Sequence, residues 1–71
     1  MTSLEDTIRY IESLHECYVE KEGFYLTINT FKQLTSNDFI HIKTLLKYHN
    51  YDFISLNAKE DLLKIEFIRC L

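Results

Sequence analysis

The stretch TSNDFIHIKTLLKYHNYDFISLNAKEDLLKIEF, residues 35–67, decides the fold because its pattern changes from that of a helix to that of a β-hairpin. Thr35, Ser36 and Asn37 are successive N-cap candidates, and Asp38 suits the first turn of a helix. Apolar residues then recur at helical spacing until Asn50, a good left-handed residue for the helix end. The face that they define consists of Phe39, Ile42, Leu45, Leu46 and His49. The first part of the stretch therefore predicts a long helix.

The second part of the stretch predicts two antiparallel strands joined by a turn at residues 57–61. The last strand alternates cleanly between apolar and polar residues, and its predicted core face consists of Leu63, Ile65 and Phe67. The register of the preceding strand stays open, because either Ile54 and Leu56 or Tyr51 and Phe53 face away from the core. Either register leaves large apolar groups on the second sheet face, which favours a covered sheet or a homo-oligomer.

Upstream of this stretch, the chain predicts another helix over residues 4–21. Ser3 is a good N-cap, and Asp6 lies three residues further on, where a capping-box acid belongs. Gly23 falls just past the periodic pattern, where a left-handed residue ends a helix. The apolar face consists of Leu4, Ile8, Ile11, Leu14 and Tyr18. We expect Ile8 and Ile11 to share a core with Ile42 and Leu46.

The segment between the two helices predicts a short strand and a short helix. Residues 24–28, FYLTI, alternate, with Phe24, Leu26 and Ile28 on one side. Residues 29–34, NTFKQL, suit one or two helical turns with Phe31 and Leu34 facing inward. No internal repeat is visible. The predicted fold is therefore a single α+β domain over residues 1–71, with two main helices and one short helix packed on a small antiparallel sheet that ends in a C-terminal hairpin.

This order of elements resembles the winged helix-turn-helix family, and residues 26–50, LTINTFKQLTSNDFIHIKTLLKYHN, resemble its strand–helix–turn–helix core. The resemblance implies that the first strand pairs with the C-terminal hairpin and that the second long helix is a recognition helix for DNA. It implies a nucleic-acid-binding set of Asn37, His41, Lys43, Thr44, Lys47, Lys59 and Lys64. The family usually carries several Arg or Lys residues there, and this chain has few. An unrelated α+β fold with a three-stranded sheet is the alternative.

The composition indicates a folded intracellular protein. The 71 residues are 46% hydrophobic and include five Tyr and five Phe, which favours a folded chain over a disordered one. No secretory leader and no apolar run of the roughly 18 residues that span a bilayer are visible. We therefore expect a cytoplasmic protein without a membrane partner, in which Cys17 and Cys70 are free thiols.

The residues that carry chemistry in enzymes do not form a recognisable catalytic or metal-binding pattern here. His15 and Cys17 lie two residues apart on the predicted helix, so their side chains point in nearly opposite directions. The histidines and cysteines lack the close pairs typical of zinc sites. A single glycine leaves no phosphate-cradling loop. We therefore expect no catalytic residue, no metal, no cofactor and no small-molecule substrate.

The charge distribution and the outward face of the second long helix favour a protein partner. The net charge of −3 divides into −4 for residues 1–29, +2 for residues 30–50 and −1 for residues 51–71. The predicted protein-binding residues on the outward face are Ile40, His41, Thr44, Lys47 and Tyr48. Apolar and aromatic groups suit an interface better than lysine does, although internal packing of Ile40 and Tyr48 is the alternative. The sequence thus predicts a small non-enzymatic interaction module, an adaptor or inhibitor that binds another protein or itself; the alternative is a winged-helix DNA-binding regulator.

Overall fold

The computed structural model describes residues 2–31 and 33–70 and shows an α+β fold with two helices and one four-stranded sheet. The elements are α1 (Leu4–His15), β1 (Tyr18–Glu22), β2 (Tyr25–Thr30), α2 (Ser36–Lys47), β3 (Tyr51–Lys59) and β4 (Leu62–Arg69). The strand order is β1-β2-β4-β3, with every neighbouring pair antiparallel, and the sheet is open. The α+β prediction is confirmed.

One core joins both helices to a single face of the sheet. Its fully buried apolar residues come from α1, α2 and from β2, β3 and β4, and they are Ile11, Leu26, Ile28, Ile42, Leu46, Tyr51, Ile65 and Phe67. The predicted core positions Ile8 and Leu63 are partly buried against this cluster. The predicted core set is therefore confirmed, with Ile8 and Leu63 at its margin. The predicted apolar faces are wrong at three positions, because Leu14 is 48% exposed, Tyr18 on β1 is 62% exposed and Phe24 is 57% exposed.

The first helix is shorter than the sequence predicts, because it ends at His15 and not at residue 21. Its start is as expected, with the Ser3 side chain accepting a hydrogen bond of 3.1 Å from the backbone N–H of Asp6. Glu16 then adopts a left-handed conformation with φ of 50°, which turns the chain out of the helix. Residues 18–22 pair with β2 instead, and Gly23 supplies a positive φ in the β1–β2 turn.

The predicted short helix over residues 29–34 is absent from the described part of the chain. Asn29 and Thr30 belong to β2, where they pair with β4, and residues 31 and 33–35 have no helical structure. Lys32 lies outside the described residues. Phe31, predicted to face inward, is 78% exposed, whereas Leu34 packs against the core. Extending β2 satisfies backbone groups across the sheet, and a short isolated helix gains little by comparison.

The second long helix begins with a complete capping box. The Asp38 N–H donates to Thr35 Oγ1, and the Thr35 N–H donates to Asp38 Oδ2, each at 3.1 Å. Asn50 has the predicted left-handed conformation, with φ of 65°, and leads directly into β3. The capping box and Asn50 thus fix both ends of the segment that holds α2 against the sheet.

A β-bulge in β3 explains why the register of the hairpin stays open from the sequence. One alternative holds before the bulge and the other holds after it. Phe53 lies opposite Phe67 and Leu56 lies opposite Ile65, so both face the helices, and Ile54 is the extra residue between them. Tyr51 is buried on the same face as Phe53. Because one extra residue shifts the alternation, no single period fits the whole of β3.

The chain consists of two halves that each run helix, strand, strand, which the sequence pattern does not reveal. Capping residues start both helices, and the left-handed Glu16 and Asn50 follow them. Gly23 and Glu60 begin the two hairpin turns with φ of 59° and 56°. The sheet order is symmetric about the β2–β4 pair. No repeat is visible in the sequence itself, and the likeness of the two halves lies in their order of elements.

Replacing the fully buried Phe67 by Ala should cost about 3–5 kcal/mol of the free energy of unfolding, because it leaves a cavity in the middle of the core. Domains of this size have about 5–15 kcal/mol in total, so Tm should fall steeply. Phe31→Ala is the matched control, since the Phe31 ring is exposed and its removal should leave Tm nearly unchanged. Equal melting curves for the two variants in urea or heat would contradict the assigned core.

The Cys17 thiol should react slowly in the folded protein. It is half-buried and donates to the Ile11 carbonyl oxygen at 3.6 Å. Burial, and secondly the negative charge of Glu12, raise the pKa of Cys17 to about 11 from 9.0. At pH 8 the thiolate should therefore be about 100-fold scarcer than in the unfolded chain, and iodoacetamide labelling correspondingly slower. Mass spectrometry with and without urea measures this, and equal rates in both conditions would disprove it.

Candidate functional site

Three residues on the outward side of α2, Ile40, Thr44 and Tyr48, form the surface that we call the outward stripe. Ile40 is 58% exposed and Tyr48 is 81% exposed, so the alternative that they pack inside the fold is wrong. The Thr44 hydroxyl donates to the Ile40 carbonyl oxygen at 2.9 Å, so its donor is already satisfied within the helix. The stripe is therefore a solvent-facing surface with large apolar groups at both ends.

His41, which the sequence places with these residues, lies on a different side of α2. Its half-buried ring packs edge-on against the rings of Tyr10 and His15, each at 6.0 Å between centroids. The other two histidines also connect the two helical segments. His15 Nδ1 lies 3.9 Å from Asp38 Oδ1, and His49 Nε2 lies 2.9 Å from Thr7 Oγ1. His41 thus belongs to the contact between the helices, because neighbouring helical residues point about 100° apart.

A groove of about 400 Å³ runs beside the outward stripe, and we call it the α2–β3 groove. Tyr48 joins the stripe to this groove, and Phe67 of β4 also lines it. Lys47 donates to Asp52 Oδ1 and so links α2 to the start of β3. The residues that line the groove are Lys43, Thr44, Lys47, Tyr48, Tyr51, Asp52, Phe53 and Phe67.

The ion pair at the end of this groove is charged at neutral pH. Hydrogen bonds from the Cys70 thiol and from Lys47 lower the pKa of Asp52. The hydrogen bond to Asp52, and secondly its negative charge, raise the pKa of Lys47. The same contact with Asp52 raises the pKa of Cys70. Lys47 and Asp52 therefore neutralise each other, and Lys43 supplies the net positive charge of the groove.

Lys43 lies over two aromatic rings in the middle of the α2–β3 contact. Its Nζ atom is 5.3 Å from the centroid of the Phe39 ring and 5.6 Å from that of Phe53. The two rings pack edge-on at 5.3 Å. Beyond them lies a second cavity of about 150 Å³, lined by Leu34, Thr35, Ser36, Phe39, Leu56, Leu63 and Ile65. Cavities thus lie on both sides of the Phe39–Phe53 contact along α2 and β3.

Tyr51 is the residue of this site that sequence reasoning missed. It is 1% exposed and lines the groove, and its hydroxyl has no hydrogen-bond partner within the described residues. Burying a hydroxyl without a partner is costly, so this oxygen is an unsatisfied hydrogen-bonding group. The alternation of the strand gave no reliable signal for it, because the bulge decides which residues of β3 face the helices.

The lysines predicted to bind DNA are not brought together. Lys43 and Lys47 lie along the groove, together with Thr44, and Asn37 is exposed in the first turn of α2. Lys64 points to the other face of the sheet, since its neighbours Leu63 and Ile65 face the helices, and its cross-strand partners are Asn29 and Asn57. Lys59 pairs with Leu62 on that same outer face. The set predicted from the winged-helix resemblance is thus divided between opposite sides of the molecule.

The outer face of the sheet, opposite the helices, is a mixed surface. Tyr18 is 62% exposed on β1, where it pairs with Asn29, and Tyr25 is 53% exposed at the other end of the β1–β2 hairpin, where it pairs with Glu22. Glu20 and Glu22 lie on the same face and contribute negative charge. The tyrosines of this face are exposed like Tyr48 but lie on the side of the sheet opposite α2, so they can serve as controls for it.

Within residues 2–31 and 33–70, no group of three or more His, Cys, Asp or Glu side chains is arranged to hold a metal ion. Neither described helix is long and apolar enough to cross a membrane. Comparisons of the chain with protein families, curated proteins and solved structures gave no match.

Proposed function

We propose that this chain is a small, non-enzymatic, intracellular interaction module that binds another protein through the outward stripe of α2. The observation that carries this proposal is the exposure of Ile40 and Tyr48 on one helix face beside an aromatic-lined groove. Tyrosine and large apolar residues dominate the energetics of protein interfaces. An adaptor or an inhibitor is the role that suits such a surface.

The energetics favour a protein partner over DNA at this surface. Fully burying a side chain of the size of Ile contributes about 1.5–3 kcal/mol, and Tyr48 adds an aromatic ring with a polar end. Phosphate binding depends on cations, and Lys47 is already paired with Asp52. The helix face therefore offers exposed apolar groups for a protein partner, whereas one of its lysines, Lys47, is already neutralised.

Tyr48→Ala and Ile40→Ala should each weaken the partner complex about 10-fold or more while leaving Tm unchanged, because both side chains are exposed in the free protein. A photo-crosslinking amino acid at position 48, introduced in the native host, identifies the partner by mass spectrometry. Binding of the purified partner is then measured by calorimetry.

Tyr18→Ala is the matched control, since Tyr18 is an exposed tyrosine on the outer sheet face. A crosslinker at position 18 should capture a different set of proteins or none. If Tyr18→Ala weakened the complex and Tyr48→Ala did not, the binding surface would be the sheet and the proposal would be wrong. Sedimentation of the purified chain decides whether the partner is a second copy.

The DNA-binding alternative predicts a strongly salt-dependent affinity for duplex DNA. With Lys47 neutralised and Lys59 and Lys64 on the opposite side, we expect no saturable binding of a 20-base-pair duplex at about 150 mM salt. Fluorescence anisotropy measures this. Tight binding that Lys43→Ala abolishes and Lys64→Ala leaves unchanged would restore the recognition-helix interpretation.

A further inference from the structure

The two edges of the sheet differ in how well they are protected against pairing with another strand. β1 is a five-residue edge that carries three charged side chains, Glu20, Lys21 and Glu22, which discourage strand addition. β3 is a nine-residue edge, and its exposed apolar residues are Phe53, Ile54 and Leu56. Only Asp52 and Lys59, near its two ends, are charged. The β3 edge is therefore the less protected of the two, and the twist from the bulge at Ile54 restricts which strands can pair with it.

The α2–β3 groove lies on the helix-facing side of this edge strand, with α2 as its second wall. An extended peptide that pairs with β3 places alternate side chains between strand and helix, which is a recurring mode of peptide recognition. Cavities of about 400 Å³ and 150 Å³ lie on either side of the Phe39–Phe53 contact. Alternate residues of a strand lie on the same side and are about 6.6 Å apart, so one side of a bound peptide can supply an anchor side chain for each cavity.

The larger cavity has two polar groups, the Lys43 ammonium and the Tyr51 hydroxyl, that an anionic hydrogen-bond acceptor would satisfy. Lys43 has no carboxylate partner in the described part of the chain, where its ammonium group lies over the rings of Phe39 and Phe53. Tyr51 lines the same cavity, and its fully buried hydroxyl lacks a hydrogen-bond partner among those residues. A carboxylate satisfies both groups, since it accepts from a hydroxyl and pairs with an ammonium. Asp52 is already engaged by Lys47 and Cys70.

We propose that the α2–β3 groove binds an extended segment of the partner protein, which adds to the free edge of β3 as a fifth strand. An acidic side chain of that segment, flanked by apolar residues, accepts a hydrogen bond from Tyr51 and pairs with Lys43. This rests on the proposed function and specifies the partner as an acidic and apolar extended peptide. The outward stripe then contacts the same partner at the helix side of the groove, through Tyr48.

A library of random 12-residue peptides displayed on phage is the probe. Peptides selected on the folded protein should be enriched in an Asp or Glu with apolar neighbours. Synthetic copies are titrated by fluorescence anisotropy, and amide hydrogen exchange of the complex is followed by NMR. The outward-facing backbone amides of Tyr51–Lys59 should become protected, whereas those of β1 should not.

Tyr51→Phe should lower peptide affinity about 10-fold, because it removes one hydrogen bond to a charged group and keeps the ring that fills the core. Lys43→Gln should lower affinity about fivefold and reduce its salt dependence. The matched controls are Tyr25→Phe and Lys64→Gln on the outer face of the sheet, which should bind the peptide like the unmodified protein.

Unchanged affinity in both Tyr51→Phe and Lys43→Gln overturns the proposal, as does a selection that yields no peptide protecting the β3 amides. A dimer of this chain that protects β3 at micromolar concentration and that no peptide displaces assigns the edge to a second copy and also overturns it. If Ile40→Ala and Tyr48→Ala weaken the partner complex while β3 stays unprotected, the proposed function stands and only strand addition fails. If peptides bind as described but the stripe variants leave the partner complex unchanged, the proposed function fails instead.

Discussion

The pairing of β2 with β4 is the interaction on which the rest of the structure depends. Leu26 faces Phe67 and Ile28 faces Ile65 across this ladder, and all four side chains are fully buried. Each half of the chain alone is one helix on one hairpin, which is too small to bury its apolar face in water. Joining the two hairpins at their inner strands creates one sheet wide enough for both helices. The core, the groove and both free edges follow from that junction.

The sequence predicts best where periodicity is strong and local. The capping box at Thr35 and Asp38 and the clean alternation that ends at Phe67 fix α2 and β4 without knowledge of the partner elements. The predicted first helix is too long because the sequence of residues 16–22 is compatible with a helix as well as with a strand. What decides between them is pairing with β2, and a left-handed Glu16 is not signalled by any glycine. Strand pairing is a tertiary interaction, and local patterns do not record it.

In the candidate site, too, the sequence predicts the part that depends on local periodicity and misses the part that depends on strand pairing. Exposure of Ile40 and Tyr48 follows from the helical period, so the outward stripe is predictable from the sequence. The groove is not, because its β3 wall depends on the bulge between Phe53 and Ser55, which brings Tyr51, Phe53 and Leu56 onto one face. The sequence predicts His41 on the same surface as Ile40, but its ring packs against Tyr10 and His15 of α1, because one position along a helix changes the direction of a side chain by about 100°. Lys47 has the predicted position, but its charge is neutralised by an ion pair with Asp52.

The two halves have the same order of elements, but their outer strands differ in length and in charge. In the first half, charged residues close the short outer strand β1 to further pairing. In the second half, the outer strand is longer and keeps apolar residues at its exposed edge, and the helix beside it carries the outward stripe. The bulge at Ile54 adds twist, which limits pairing with an unrelated flat strand. In the binding mode that we propose, the flanking cavities would select a peptide by its side chains. The extended partner that we propose would therefore depend on two features of the second half of the chain, an outer strand with few charges and the adjoining groove with Lys43 and its aromatic rings.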